Sequence, residues 1–427
     1  MPIRMIFFWQ LIFCVSAVIT LVVPGGHFAG PFFMALAGLF YRQQAQQRVP
    51  LTDSVLQASW TWLLAGFGVM VVLGIGLSLW HPTHAGHYEM YVPFVLFPAV
   101  AWLIRAGRWR AEPWLLCLSA GALLAFFYAA YQVFALNIAR AYGATNHPIP
   151  FGNTAIVLSA VALVSGAMFP FEGPHAQKKR LFVWVAGVAG AGASLLSGSR
   201  GGWLSLFIVG FTVAYLATRH WPAWRRHLCA AAVMASLVLA GLLAPSHVVK
   251  DRLVTGLKGG IQWLQTGEVS DGSVGMRMEI WRLTFQVISE KPWFGHGSVG
   301  AHGRWEELRK EPTSSPMLSQ LYEPDTKFVS FDNEWLGTLA GGGVVGALAV
   351  LTAYLGVWLA FWRWRSHADL QIKTLATIGL LLPPMYLEFG LTVSVFGTNV
   401  FRSVFVMLSV SLLALMAVRF NALKKAP

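Results

Sequence analysis

The chain has 427 residues, 56% of them hydrophobic and only 11% charged, with a formal net charge of +13. A soluble domain carries about 25% charged residues, so this composition excludes an ordinary soluble enzyme and a disordered chain and points to a polytopic membrane protein. The basic excess, 31 Lys and Arg against 18 Asp and Glu, has no basic–aromatic binding motif beside it, which argues against a nucleic-acid partner.

Apolar runs of roughly 17–25 residues, the length that crosses a bilayer, recur along the chain. They are predicted at 5–23, 58–80, 88–105, 113–137, 151–170, 181–197, 201–218, 228–245, 335–362, 370–390 and 399–419. A shorter run at 28–41 follows the Pro24-Gly25-Gly26 break and reads as a span or a re-entrant segment. Counting it gives about twelve transmembrane helices in an all-α polytopic fold. The first run lacks a small-x-small cleavage site and more spans follow at once, so it reads as a retained signal anchor. Strand alternation is absent, which excludes a β-barrel. There is no internal repeat of fixed period.

Loop charge sets the expected orientation. One set of alternate loops carries 18 of the 31 basic residues, from Arg4 through Arg42, Arg48, Arg105, Arg108 and Arg110 to Arg419, Lys424 and Lys425. Only Asp53, Glu112, Glu172 and Asp369 oppose them. This face is predicted to be cytoplasmic and to hold both termini. The opposite face has short loops and one long insertion, which divides the chain into 1–245, 246–334 and 335–427. With 10 basic and 12 acidic residues the insertion is nearly neutral. Trp263, Trp281, Trp293 and Trp305 mark it as a folded cap. Within it Met276, Ile280, Leu283, Val287 and Ile288 follow helical spacing, and Pro292 ends that helix. Cys14, Cys117 and Cys229 all fall in predicted spans, so no disulfide staples the insertion.

Three arginines remain on the insertion side of the spans: Arg140, Arg200 and Arg402. A charge at a helix centre costs ~2.5–3.5 kcal/mol on insertion scales. Such residues serve a cavity and its substrate, or they snorkel to the head groups. Glu388 lies near the same end of its span. Arg200 sits in Ser197-Gly198-Ser199-Arg200-Gly201-Gly202, where two apolar runs meet with almost no loop. Small neighbours leave a guanidinium and backbone amides open to an anion, which arginine grips through a bidentate fork. Arg140 opens a polar turn that runs through Asn146 and His147 to Phe151-Gly152-Asn153. The bland reading of that stretch is a structural turn. In Ser330-Phe331-Asp332-Asn333-Glu334-Trp335, Asp332 or Asn333 is placed to cap the next helix, and a cap also fixes a carboxylate. His296 and His302 are flanked by glycines and read as part of a flexible turn. His84, His87 and Glu89 lack partners at metal spacing, so no metal site is expected. There is no D-x-D, Walker A, G-x-S-x-G or dinucleotide fingerprint.

In this order the motifs resemble the O-antigen ligase/O-antigen polymerase family of bacterial inner-membrane glycosyltransferases. The carrying residues are Ser197–Gly202, Arg277 in Gly275-Met276-Arg277-Met278-Glu279, Lys291-Pro292-Trp293-Phe294-Gly295-His296-Gly297, and Asp332-Asn333-Glu334-Trp335-Leu336 followed by Gly341-Gly342-Gly343. The ligases look closest. The resemblance implies a GT-C-like membrane fold with a large periplasmic loop. It implies transfer of O-antigen polysaccharide from undecaprenyl diphosphate to lipid A–core, with membrane lipid around the site and neither metal nor nucleotide cofactor. A chain polymerase or a protein-glycosylating oligosaccharyltransferase would use the same donor. A transporter is a third class, with intramembrane Arg and Glu as ion sites.

The family's functional arginines fall on Arg200 and Arg277, and its functional histidine falls on Asp332, a departure that exchanges imidazole for carboxylate. Arg200 and Arg277 are then expected to clamp the diphosphate. Asp332, with Glu388 as second candidate, would receive or orient the acceptor proton in one inverting step. Arg140 and Arg402 would hold the same anion or core phosphates. Asn146, His147 and Asn333 complete the expected substrate contacts.

Overall fold

The computed structural model describes residues 3–81, 85–243, 250–267, 269, 273–311 and 331–425. His84, Ser330 and the predicted boundary at 245–246 fall outside them. Every regular element among the described residues is helical, and nine of the helices are long and apolar enough to cross a membrane. The chain is a multi-pass membrane protein.

The long predicted spans appear close to where hydropathy placed them: Ser54–Trp80, Pro148–Met168, Ala176–Ser197, Glu334–Trp362, Leu370–Phe389 and Asn399–Lys425. Two differ. The 88–105 run is broken into a 3-10 turn Ala85–Tyr91, a short helix Val92–Leu96, a 3-10 turn Phe97–Ala99 and a helix Val100–Gly107. Pro93 and Pro98 lack the amide that an unbroken helix requires. The 28–41 run is a helix, Gly26–Phe40, of 15 residues. At 1.5 Å per residue it is about 22 Å long, short of the ~30 Å hydrocarbon core.

Helix Asn399–Lys425 is buried along its apolar length and forms the centre of the bundle. Phe396, Phe401 and Phe405 pack there with Tyr354, Tyr386 and Phe67. Helix Glu334–Trp362 lies against Ser54–Trp80 at backbone contact. A side chain at Gly66 would strike the Thr352 carbonyl, and one at Gly356 would meet the Trp62 carbonyl. Small residues permit such close approach between membrane helices, where dispersion rather than the hydrophobic effect drives association.

The insertion contributes helices Lys250–Thr266, Ser273–Glu290 and Gly297–Arg309. As the spacing predicted, Ile280, Leu283 and Val287 are buried and Met276 and Ile288 half-buried. They enclose Trp305 with Ala301, Leu308, Phe331 and Ala340, so this small core is shared with the start of helix Glu334–Trp362. Trp293 departs from the expected cap pattern: it is 65% exposed. The turn expected at His296 is present, whereas the one expected at His302 is corrected. His302 lies within helix Gly297–Arg309, its Nδ1 2.6 Å from the Ser298 carbonyl. His296 sets its Nε2 3.0 Å from the Val287 carbonyl.

The Gly-rich motifs explain how the insertion is anchored. Gly343 interrupts its helix with φ 62° and ψ −161°. The backbone groups freed there are met by the 292–296 turn: Val344 N donates to Pro292 O at 2.8 Å, and His296 N donates to Ala340 O at 2.9 Å. Gly295, at φ 66°, stands against the Gly341 carbonyl with no room for a Cβ. A broken helix at membrane depth is tolerated where its backbone groups are re-satisfied. The Lys291–Gly297 and Gly341–Gly343 motifs are two halves of one joint.

Candidate functional site

The Arg200 junction is built by helix termination. Helix Ala176–Ser197 ends at Gly198 in the left-handed region, φ 60°, as glycine permits. A single 3-10 turn, Arg200–Gly202, then leads into helix Trp203–Ala217. The junction rests on the start of helix Pro148–Met168. Ser199 Oγ donates to Asn153 Oδ1 at 3.2 Å. A side chain at Gly202 would strike that same oxygen, and one at Gly152 would strike the Ser197 hydroxyl. The two polar stretches read separately in the sequence, 140–153 and 197–203, are therefore one structure.

Arg140 closes it. Its Nε donates to Ser197 O at 2.9 Å and its Nη2 to Gly198 O at 3.4 Å. A cation at these carbonyls suits the negative end of the helix dipole. The expected substrate arginine thus has a structural task, holding the loop that presents Arg200. Gln132, in the π-helical turn Tyr131–Ala135, secures the far side by accepting from Tyr142 N and Gly143 N at 3.0 and 2.9 Å. Asn146 occupies the left-handed region at φ 63°, where asparagine is well tolerated. His147 caps the helix, its Nδ1 accepting from Ile149 N at 3.3 Å. That leaves the ring proton on Nε2.

The insertion brings Arg277 to this corner. Its Nε lies 3.5 Å from Asp332 Oδ2, with 26% of the arginine and 41% of the aspartate side chain exposed. Asp332 sits at φ 51°, and it is Asn333 that caps helix Glu334–Trp362, accepting from Trp335 N and Leu336 N at 2.9 and 3.1 Å. Asp332 is thereby excused from capping and turned to Arg277. Arg200 approaches from the other side: a Cβ on Gly256 would stand 3.1 Å from both Arg200 Nη1 and Val274 Cγ2, and Val274 is one helical turn before Arg277. His147 reports the same grouping. Lost solvent lowers its pKa first, the Arg140 and Arg277 charges lower it further, and the Asp332 charge opposes them.

Two predicted residues lie elsewhere. Glu388 accepts from Ser205 Oγ at 2.6 Å, in the first turn below the Arg200 junction. Arg402 was expected with the other arginines. Instead it lines a cavity of about 410 Å³ whose walls do not include Arg140, Arg200 or Arg277. The cavity lies between the insertion and helices Glu334–Trp362 and Asn399–Lys425, with Ser298, His302, Asn333, Glu334 and Ser394 in its lining. Arg402 Nη1 donates to Phe396 O and Gly397 O, both at 3.1 Å, while its buried Nε meets no acceptor among the described residues. Glu334, which sequence reasoning quoted but did not select, is 5% exposed and accepts from Ser394 Oγ at 2.8 Å.

The segment 390–394 connects the two regions. Glu334 N donates to Gly390 O at 2.8 Å, Asn333 Nδ2 donates to Leu391 O at 3.1 Å, and Thr392 stands against Gly201. Asn153, Gln132, Glu334, Thr392 and Ser394 were thus missed as positioning groups. The available signal was Thr392, Ser394 and Thr398 placed among apolar residues between two predicted spans. Asp332-Asn333-Glu334 faces both ways, its first residue toward the arginine corner and its last two toward the polar cavity. Among the described residues no three His, Cys, Asp or Glu side chains are grouped to hold a metal ion.

Over 362 residues the chain is 23% identical to an uncharacterized protein of Haemophilus influenzae, covering 84% of this chain and 86% of that one. Residues 181–351 match the family described as O-antigen ligase. That matched segment holds Arg200, Arg277 and Asp332 together.

Proposed function

We propose that the chain is an O-antigen ligase of the bacterial inner membrane. About twelve helices in a GT-C-like arrangement keep both termini in the cytoplasm and the insertion in the periplasm. The enzyme transfers O-antigen polysaccharide from undecaprenyl diphosphate to a hydroxyl of lipid A–core oligosaccharide. The observation that carries the reading is the Arg277–Asp332 pair beside Arg200, inside the matched segment.

The chemistry follows from that corner. The acceptor oxygen bonds to the anomeric carbon while the bond from that carbon to the diphosphate oxygen breaks. The electron pair leaves with the diphosphate, whose growing charge Arg200 and Arg277 neutralise. The acceptor proton passes to the Asp332 carboxylate. One displacement inverts the anomeric centre and requires no enzyme nucleophile. Asp332 stands between the arginine corner and the polar cavity, so the cavity lined by Glu334, Ser394, His302 and Arg402 is the place for the acceptor sugar. Carboxylate, hydroxyl and guanidinium groups are the partners that sugar hydroxyls and core phosphates require.

Deleting the gene and resolving lipopolysaccharide on a gel tests the reading. A ligase leaves core without O-chains while carrier-linked polymer accumulates. A single repeat unit on core means a chain polymerase instead. With purified donor and acceptor, turnover is expected to survive EDTA. Activity lost to chelator and restored by one divalent cation would show that the arginines do not suffice.

A further inference from the structure

The opposite, basic end of the bundle holds a separate cavity of about 350 Å³. Arg48, Arg108, Arg110, Arg419 and Lys425 line it, against Glu112 and Glu172. Two of these charges are already matched, Glu112 by Lys179 and Arg419 by Asp369. Arg48 Nη1 donates to Ala106 O at 3.0 Å and Arg108 Nη2 to Arg48 O at 3.2 Å. Those bonds fix both side chains without cancelling their charge. Arg110 and Lys425 are exposed, and neither side chain bonds another described residue. The mouth is therefore strongly cationic. Its wall is not: half-buried Val418 and exposed Ala422 line it, backed by the buried Trp109 and Leu415.

The preference for basic residues in loops of one face explains how many arginines are here. It does not explain their convergence on a concavity with an apolar wall. A cationic pocket between helix ends fits a phosphate whose glycerol and first acyl carbons lie against Val418 and Ala422. We propose that this cavity binds a phosphate group presented by an anionic phospholipid of the leaflet on the basic face, independently of the transfer reaction.

Full-length protein in detergent, titrated with short-chain phosphatidylglycerol, phosphatidylcholine of equal chain length and inorganic phosphate, tests this by native mass spectrometry and thermal melting. Phosphatidylglycerol is expected to bind one to one, to raise the melting temperature, and to weaken with added salt. Phosphatidylcholine should neither bind one to one nor raise the melting temperature. A basic residue near an anionic surface contributes roughly fivefold in binding, so the double variant Arg110→Gln/Lys425→Gln should weaken phosphatidylglycerol about thirtyfold. Its lipid-free melting should be unchanged, and Arg110→Lys/Lys425→Arg should retain binding. Inorganic phosphate that displaces the lipid at lower concentration, with the same dependence on Arg110 and Lys425, keeps the phosphate site but assigns it to solution phosphate. Equal binding of phosphatidylcholine, or undiminished phosphatidylglycerol binding by a folded double variant, overturns the proposal.

Discussion

At the basic end of the bundle, carboxylates are matched across long stretches of chain. Asp53 meets Lys424, Asp369 meets Arg419 and Glu112 meets Lys179. In the insertion, ion pairs are mostly local: Arg282 with Glu279, Arg309 with Glu306, and Arg304 with Glu290 and Glu307. The exception among the described residues is Arg277–Asp332, which joins a helix of the insertion to the start of a membrane helix. At one end long-range pairing is routine and ties loops together. At the other it marks the corner where Arg200 and Arg140 also converge. Distance along the chain therefore means function only against its local background.

If that contrast is sound, breaking Arg277–Asp332 abolishes transfer, whereas breaking a pair at the basic end does not. Arg277→Ala and Arg200→Ala should each lower the transfer rate about 10²–10³-fold, the usual loss for one preorganised charge-stabilising group. Lysine should rescue poorly because it lacks the fork. Asp332→Asn should also cripple transfer while leaving folding intact, since asparagine accepts the left-handed backbone and Asn333 does the capping. Rates with purified donor and acceptor decide this. Full activity in the Ala variants removes the clamp, and an active Asn variant moves the proton role to another group.

The packed junction beneath Arg200 gives the next largest effect. Gly202→Ala drives a methyl into Asn153 Oδ1, and overpacking of this kind costs ~1–3 kcal/mol. Thermal melting should fall and transfer with it. Adding Asn153→Ala should recover part of the loss, because the two changes share one contact. Strict additivity would mean that the junction yields elsewhere.

Much of this arrangement was legible in the sequence, and what was not has a physical cause. Bilayer length and helical period depend on neighbours in the chain, so the spans and the Met276–Ile288 face could be read directly. Arg200 stood out because charge is scarce along the spans, whereas Arg277, one of ten basic residues in the insertion, was reached only through the family resemblance. Which of Asp332 and Asn333 caps could not be read, since both side chains cap well. Arg140 and Arg402 looked equivalent by hydropathy. Only the fold shows one spent on the carbonyls of Ser197 and Gly198 and the other facing the polar cavity. Glu334 was hidden for the same reason: its partner Ser394 is 60 residues away.

Capping provides a smaller, separate test. Asn333→Ala removes acceptors for two amides at the start of helix Glu334–Trp362 and should cost ~0.5–2 kcal/mol of stability. Asn333→Asp should restore it. Melting temperatures of the two variants beside Asp332→Asn separate the cap from the site. Equal destabilisation by Asp332→Asn and Asn333→Ala would merge them.

The smallest effect is expected at the basic end. Burial alone would raise the pKa of Asp369. The Arg419 guanidinium and the Ile372 and Gln371 amides outweigh that and hold it below the ordinary carboxylate range. A carboxyl whose folded pKa is depressed stabilises the protein fully above its unfolded value, about 3.9, and loses that contribution as pH falls through the folded value. Arg419→Gln removes part of this stabilisation. Because the Arg419 side chain is 35% exposed, the loss at neutral pH should be under about 1 kcal/mol. Transfer should stay at the wild-type level. The two proteins should melt apart at pH 7 and draw together below about pH 4 as Asp369 takes up its proton. A gap in melting temperature that persists undiminished into acid would show that Arg419 acts by packing its stem rather than by its charge.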